Sequence, residues 1–234
     1  MLIFLDLETT GLESSDRLCS IALISEDGYI YELLNEGKKL SVEASSVHHI
    51  TKEMLAGKAT FKESKALKFL EAHNSCEHTL VAHNIKFDLE KLSVSGFVWL
   101  GDTIDTLRVS KHLIPECEQF ALQILRYELK LYRLEEARVQ KYGIKDAMVA
   151  HNALSDAVVT ELLFEELLEM ASLEEMKALS YKNVLLEKLN FGKHKGHYVE
   201  EVCMNDRSYV EWLLNGVTEL DEDIRYSLNY YLQG

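Results

Sequence analysis

Five side chains in this sequence have types and spacings that allow joint chemistry. They are Asp6 and Glu8 in "FLDLETTGL", Asp88 in "VAHNIKFD", and His151 and Asp156 in "HNALSDA". Side chains alternate along a strand, so Asp6 and Glu8 share a face. The residues before them, Met1-Leu2-Ile3-Phe4-Leu5, read as a strand buried on both faces. Carboxylates in such a place are unfavourable unless something partners them. One reading is a strand end emerging into water. The other takes Thr9-Thr10-Gly11 as a sharp turn that presents the acids at a sheet edge, where ligands bind in α/β folds. With Asp88 and Asp156 they form a set of hard oxygen donors suited to two Mg²⁺ ions, with Mn²⁺ as a substitute. Such a pair stabilises the attacking and leaving oxygens of a phosphodiester displacement.

The surrounding pattern supplies elements to position these groups. "RLCSIALISEDGYIYELL" predicts a hairpin around an Asp-Gly turn signal. "SSVHHITKEML" reads as a loop entering a short helix capped by Thr51, and "TFKESKALKFLEAH" has helical periodicity. "HTLVAHN" is a short buried strand, with Asn84 placed to cap the helix that carries Asp88. "GDTIDTLRVSKHLI" is a strand running into a helix stopped by Pro115, and "FALQILRYELKLY" is an amphipathic helix. Asp156 falls in the opening turns of a long helix whose apolar face is assigned to Ala153, Ala157, Leu162 and Leu168. Hairpin strands followed by alternating helices and strands predict an α/β domain with a mixed sheet flanked by helices.

The expected organisation is a main domain over 1–170, a connecting helix over 171–187 and a small appendage over 188–234. The appendage is short for an independent core, so it is expected to pack on the main domain or on a partner. A net charge of −14 argues against a broad basic footprint on a duplex. It is compatible with a small acidic site that engages a polyanion through cations. No apolar run is long enough to span a membrane, no basic leader with a small-residue cleavage site precedes the first strand, and the cysteines are scattered. Reduced thiols and a cytoplasmic location are the corresponding expectations.

"DLETTG", "HNIKFD" and "HNALSDA" resemble, in order, the three exonuclease motifs of the DEDDh 3′→5′ exonuclease superfamily, which includes proofreading subunits. The tail "FGKHKGHYVEEVCMNDRSYVEWLLN" resembles the carboxy-terminal segment of the exodeoxyribonuclease X branch. The resemblance implies a ribonuclease H-like fold and a two-metal exonuclease that releases 5′-mononucleotides from DNA 3′ ends, single-stranded or frayed, in DNA repair. It implies that Asp6 is shared between both ions, that Glu8 and Asp156 complete the tighter site, and that Asp88 serves the second ion. His151 takes the place of the general base, a task suited to imidazole. Weak electrostatics imply distributive action. An exoribonuclease of the same superfamily, with RNA as partner, and a polymerase-associated proofreading subunit are the alternatives.

Further residues are candidates for holding the substrate. Leu7, Thr9, Thr10 and Gly11 lie where the terminal nucleotide's sugar or phosphate would be held, or they simply make the turn. Leu12 packs on the terminal base or wedges it from its partner, or is a buried loop leucine. His83 and Asn84 are candidates whose alternative is capping and support of the site, and the alternative for Phe87 is the core. Lys193 and Lys195, in a stretch without acids, are candidates for phosphate contact, with a solvated basic turn as the alternative.

Overall fold

A computed structural model describes residues 1–145 and 148–233. The chain forms two compact units, Met1–Ser180 and Tyr181–Gly234. The first holds strands β1 (Leu2–Thr9), β2 (Leu18–Ser25), β3 (Gly28–Leu33), β4 (Thr79–Ala82) and β5 (Asp102–Asp105) in one sheet of order β3-β2-β1-β4-β5. β1 pairs antiparallel with β2 and parallel with β4; β2–β3 is antiparallel and β4–β5 parallel. The predicted hairpin is there, with Ser25 opposite Gly28 across Glu26-Asp27 and Gly28 at a φ of 126°. The fold is α/β with a mixed sheet.

The helices of this unit are α1 (Val42–His48), α2 (Lys52–Leu55), α3 (Lys65–Ala72), α4 (Ile85–Val94), α5 (Thr106–Leu113), α6 (Leu122–Glu128), α7 (Glu135–Tyr142), α8 (Ala153–Leu168) and α9 (Leu173–Leu179). Alternation on β1 sorts the core into two layers. Ile3, Leu5 and Leu7 join Ala66 and Leu70 of α3 and Ile85 and Leu92 of α4 on one face. Phe4 joins Val109 of α5, Leu122 and Leu125 of α6 and most of α8 on the other. Asp6 and Glu8 continue the Phe4 face, and α8 packs against β1 there.

Several elements differ from the sequence reading. Part of "SSVHHI" is helix α1, because Ser41 caps it by accepting from the Ala44 N–H at 2.9 Å. Thr51 caps α2 as expected. Asn84 stands at the N-cap position of α4 but its side chain makes no cap bond; its φ of 72° is left-handed. α8 is buried nearly all round rather than on one stripe, while Leu168, assigned to its apolar face, is exposed. The helix expected over 171–187 ends at Leu179. It packs on β5 and α5 within the first unit, where the Ser180 Oγ accepts from the Asp105 N–H at 2.9 Å.

The second unit contains α10 (Val199–Asn205), α11 (Arg207–Gly216) and α12 (Glu222–Gln233). Short as it is, it gathers its own buried cluster, including Leu189, Val199, Val202, Val210, Leu213, Ile224 and Leu228. All the cysteines are free thiols, with Cys19 and Cys203 buried. Among the described residues no helix is long and apolar enough to cross a membrane.

Candidate active site

β1 is longer than its parallel neighbour. β4 pairs with it only from Leu2 to Phe4, whereas pairing with β2 continues past both acids, Asp6 opposite Ala22 and Glu8 opposite Ser20. The acids therefore lie within the strand, beyond the point where β4 stops, and not after its end. The first turn of α8 brings Asp156 to them. One carboxylate oxygen from each of Asp6, Glu8 and Asp156 lies within 4.8 Å of the other two.

Burial, and for Asp6, Glu8 and Asp88 also crowding by neighbouring carboxylates, raise the pKa of each member of the group. Asp6 is raised well above the carboxylate range, by burial first and then by Asp156, Asp88 and Glu8. Glu8 is pushed up to about 8 by burial and by Asp156. Asp156 is pushed up to about 7 by burial, while a backbone hydrogen bond from His151, the Arg126 charge and the Gln123 amide oppose the rise. Like charges pressed together without cations favour protonation, and a divalent cation bound among these oxygens would relieve that cost. The donor set therefore fits a hard metal ion.

Asp88, buried in the first turn of α4, stands outside the trio. It is near enough to couple to it: its carboxyl is raised mainly by burial and also by Asp105 and Glu8. His151 lies in the loop before α8 at a φ of 59°, with its side chain exposed. Thus the structure gathers Asp6, Glu8 and Asp156 tightly, Asp88 in charge range, and the His151 backbone at Asp156.

A chain of polar groups behind Asp156 escaped sequence reasoning. Gln123 Nε2 donates to Asp156 Oδ1 at 2.6 Å, and its own Oε1 accepts from Arg126 Nη1 at 3.0 Å. Arg126 makes a two-pronged pair with Glu135, both side chains being buried. The available signal was a glutamine and an arginine three apart on α6, on the side of the buried Leu122 and Arg126. Nothing local links them to Asp156 or Glu135.

The turn after β1 is braced from within. Thr9 Oγ1 donates to Gly11 O at 2.7 Å, and Thr10 Oγ1 to Asp16 Oδ1 at 2.8 Å. Asp16 Oδ2 accepts from the Glu13 N–H at 2.9 Å, and a Cβ on Gly11 would lie 2.5 Å from that oxygen, so the turn requires glycine. Lys91 of α4 is only 1 % exposed, and its ammonium donates to Glu13 O and lies 5.3 Å from the centre of the Phe87 ring. Leu12, held between these anchors, is 87 % exposed, which removes the buried-leucine reading.

The remaining candidates fall in different places. Leu7 points into the opposite core layer, leaving only its backbone on the acidic side. His83 has both ring nitrogens engaged, Nδ1 with Thr106 Oγ1 at 3.0 Å and Nε2 with Phe120 O at 2.8 Å. Burial pushes it down to about 4, so it is a neutral prop. Asn84 has an exposed side chain, while its N–H donates to Asp105 Oδ1 at 2.9 Å. Phe87 is half-buried under Lys91. Lys193 and Lys195 belong to the second unit.

Residues 3–164 match the family model Exonuclease (RNase_T), which covers more than half of the chain. The chain belongs to the Exonuclease family. Residues 189–216 match a second model, Exodeoxyribonuclease X-like C-terminal. Exodeoxyribonuclease 10 of Escherichia coli K12 is 26% identical over 241 residues, spanning 100% of this chain and 99% of that protein. The 3′-5′ exonuclease DinG of Bacillus subtilis is 29% identical over 71% of this chain and 17% of its own length. In fold, the chain is similar to Exonuclease X solved in complex with 5′ overhanging duplex DNA, with a TM-score of 0.56, 22% identity and coverage of 77% of this chain and 99% of that one. The carboxylates of this exonuclease thus lie in the region that the family model spans.

Proposed function

We propose that this exonuclease is a 3′→5′ exodeoxyribonuclease dependent on Mg²⁺ or Mn²⁺, two ions per site, that releases 5′-mononucleotides from DNA ends. The observation that carries the reading is the trio Asp6, Glu8 and Asp156, with oxygens within 4.8 Å and pKa values raised first by burial and, for Asp6 and Glu8, by the neighbouring carboxylates. Asp6, Glu8 and Asp156 would hold the more tightly bound ion, and Asp6 with Asp88 the second. Bound there, the ions supply charge stabilisation for the attacking and leaving oxygens. The chain supplies the rest. His151 accepts the proton of the attacking water, its exposed ring having access to solvent. Gln123 fixes the orientation of Asp156 by holding Oδ1. Leu12 packs against the terminal base, and the backbone of Leu7 and the Thr9–Gly11 turn lines the sugar and phosphate. The hydroxyls of Thr9 and Thr10 are already engaged within the turn, so they shape it and leave substrate contact to its backbone.

The DNA substrate is supported by Exodeoxyribonuclease 10, whose likeness spans the whole chain. Distributive action, a cytoplasmic location and work on ends produced in repair belong to the same reading. The test is Mg²⁺-dependent digestion of DNA and RNA strands labelled at either end, resolved at single nucleotides. Stepwise shortening of 5′-labelled DNA with immediate release of a 3′-terminal label is expected. Preference for the matched RNA would replace DNA by RNA as substrate, and long uninterrupted degradation in the presence of a competitor trap would overturn distributive action.

A further inference from the structure

From Lys188 to Tyr198 the chain carries Lys188, Lys193, His194, Lys195 and His197 and no carboxylate, although the protein as a whole has a net charge of −14. This stretch is a closed loop of defined shape. Lys188 and Tyr198 form an antiparallel bridge, Leu189 N–H donates to His197 O at 3.0 Å, and Gly196 N–H to Leu189 O at 2.7 Å. Gly192 turns it at a φ of 67°, where a Cβ would lie 2.3 Å from the Tyr209 hydroxyl, so the loop backbone rests directly on that side chain.

Asp206, at the start of α11, draws the loop onto the helix. Its Oδ2 meets Lys193 Nζ at 2.6 Å and His194 Nε2 at 2.9 Å, and its Oδ1 accepts from the Tyr209 N–H at 3.2 Å. The result is a patch in which cations and rings alternate. Tyr209 stacks on Trp212 with centroids 5.6 Å apart and planes 28° apart. Lys193 Nζ lies 4.8 Å from the Tyr209 centroid, and Lys188 Nζ 4.9 Å from that of Tyr198. Trp212 is 56 % exposed and Tyr198 48 %, and neither belongs to the buried cluster of the unit. Among the described residues no ion pair engages Lys188 or Lys195, while the nearby Glu211 is offset by Arg207 at 3.7 Å.

A ligand for this patch must offer flat faces to Trp212 and Tyr198 and negative charge at short intervals to Lys188 and Lys195. An acidic peptide offers the charge without a regular series of flat faces. A duplex offers charge but hides its base faces in the stack. A single strand offers both. We infer that the second unit carries its own binding site for single-stranded nucleic acid, with bases on Trp212 and Tyr198 and phosphates on Lys188 and Lys195. The use of this site, holding the strand under degradation at raised local concentration, rests on the exodeoxyribonuclease reading above; the binding itself does not.

The experiment uses the full chain carrying Asp6→Ala, in EDTA so that no strand is cut, and a fluorescein-labelled oligothymidylate followed by anisotropy. Added Trp212→Ala is expected to weaken binding about tenfold, the size of one lost base stack. Trp212→Phe should recover most of that loss, and strand binding should quench the fluorescence of Trp212. Should Trp212→Ala fail to fold, Lys188→Ala and Lys195→Ala carry the test: each should make the salt dependence shallower by about 0.7 in log–log slope. Undiminished affinity in Trp212→Ala, an unchanged salt slope in the lysine variants, or equal affinity for a closed duplex would overturn the inference. The exonuclease reading is checked separately on the unmutated chain with p-nitrophenyl thymidine 5′-monophosphate, which has no second nucleotide to reach another site. Failure there with intact strand binding would sink the exonuclease reading and leave the second site standing.

Discussion

The two units handle charge in opposite ways. In the first, carboxylates gather on β1 and α8, and burial above all pushes two of them up toward neutrality, Glu8 to about 8 and Asp156 to about 7. In the second, one carboxylate, Asp206, is held below the usual range by hydrogen bonds from Lys193, His194 and Ser208, and Lys188 and Lys195 face solvent. One arrangement is incomplete until a cation enters it. The other is satisfied internally and offers only surface. An excess of like charge that is buried therefore marks a site awaiting a counter-ion, whereas charge neutralised at a helix start marks a scaffold for something else.

Removing a carboxylate from the crowded site should have the largest effect. Asp6→Ala is expected to lower turnover by about 10³-fold or more, equivalent to several kcal/mol of lost charge stabilisation, in an exonuclease assay at saturating Mg²⁺. Next in size, His151→Ala should cost on the order of 10²-fold in turnover with metal affinity little changed, measured by calorimetric titration of Mn²⁺. Equal loss of both would mean that the residue shapes Asp156 rather than moving a proton.

The contrast between the units also has a pH signature. In metal-free protein the acids of the trio have folded-state values above their unfolded ones, so the folded state holds extra protons between those values. The stability from this source is fully present below about pH 4, the ordinary carboxylate range, and is lost as pH rises through about 7 for Asp156 and about 8 for Glu8. In EDTA the melting temperature should fall by about 10 °C or more between pH 5 and pH 8. Excess Mg²⁺ should remove most of that fall. Asp206, shifted the other way, contributes nothing over this window.

Leu12→Ala should be the mildest change, about fivefold slower degradation from a blunt duplex end and little change on a single strand, from the apolar contact it would lose. An equal effect on both substrates would assign Leu12 to general binding instead of separating the terminal pair.

What could be read from the sequence follows the range of the interactions involved. The shared face of Asp6 and Glu8 needed only strand alternation, and β1 obeys it. Asp88 and Asp156 were recognised through motif spacing, because both sit in first turns of helices that the sequence marks. The support of Asp156 was not legible: Gln123, Arg126 and Glu135 act across loops through contacts that no local pattern encodes. Likewise, Asn84 in left-handed backbone gives its N–H to Asp105, a partner from another strand, where a side-chain cap was expected. The burial of α8 on nearly all sides hid its stripe and turned Leu168 outward, since helices and sheet enclose it from several directions. The separate core of the tail was discounted on length, whereas its buried apolar residues come from three helices and also from Leu189 and Leu220 outside them.

Lys91 also bears on the gauge of the proposed reaction. Its ammonium fastens the loop that carries Leu12 to α4, three residues from Asp88. In the proposed reading Leu12 packs against the terminal base and Asp88 serves the second ion, so one buried side chain would join the place where the strand end is held to the place where it is cut. On that reading the step along DNA would have a fixed length built into the frame, and Lys91→Met, by freeing that loop, should show itself in products of irregular size before it shows in rate.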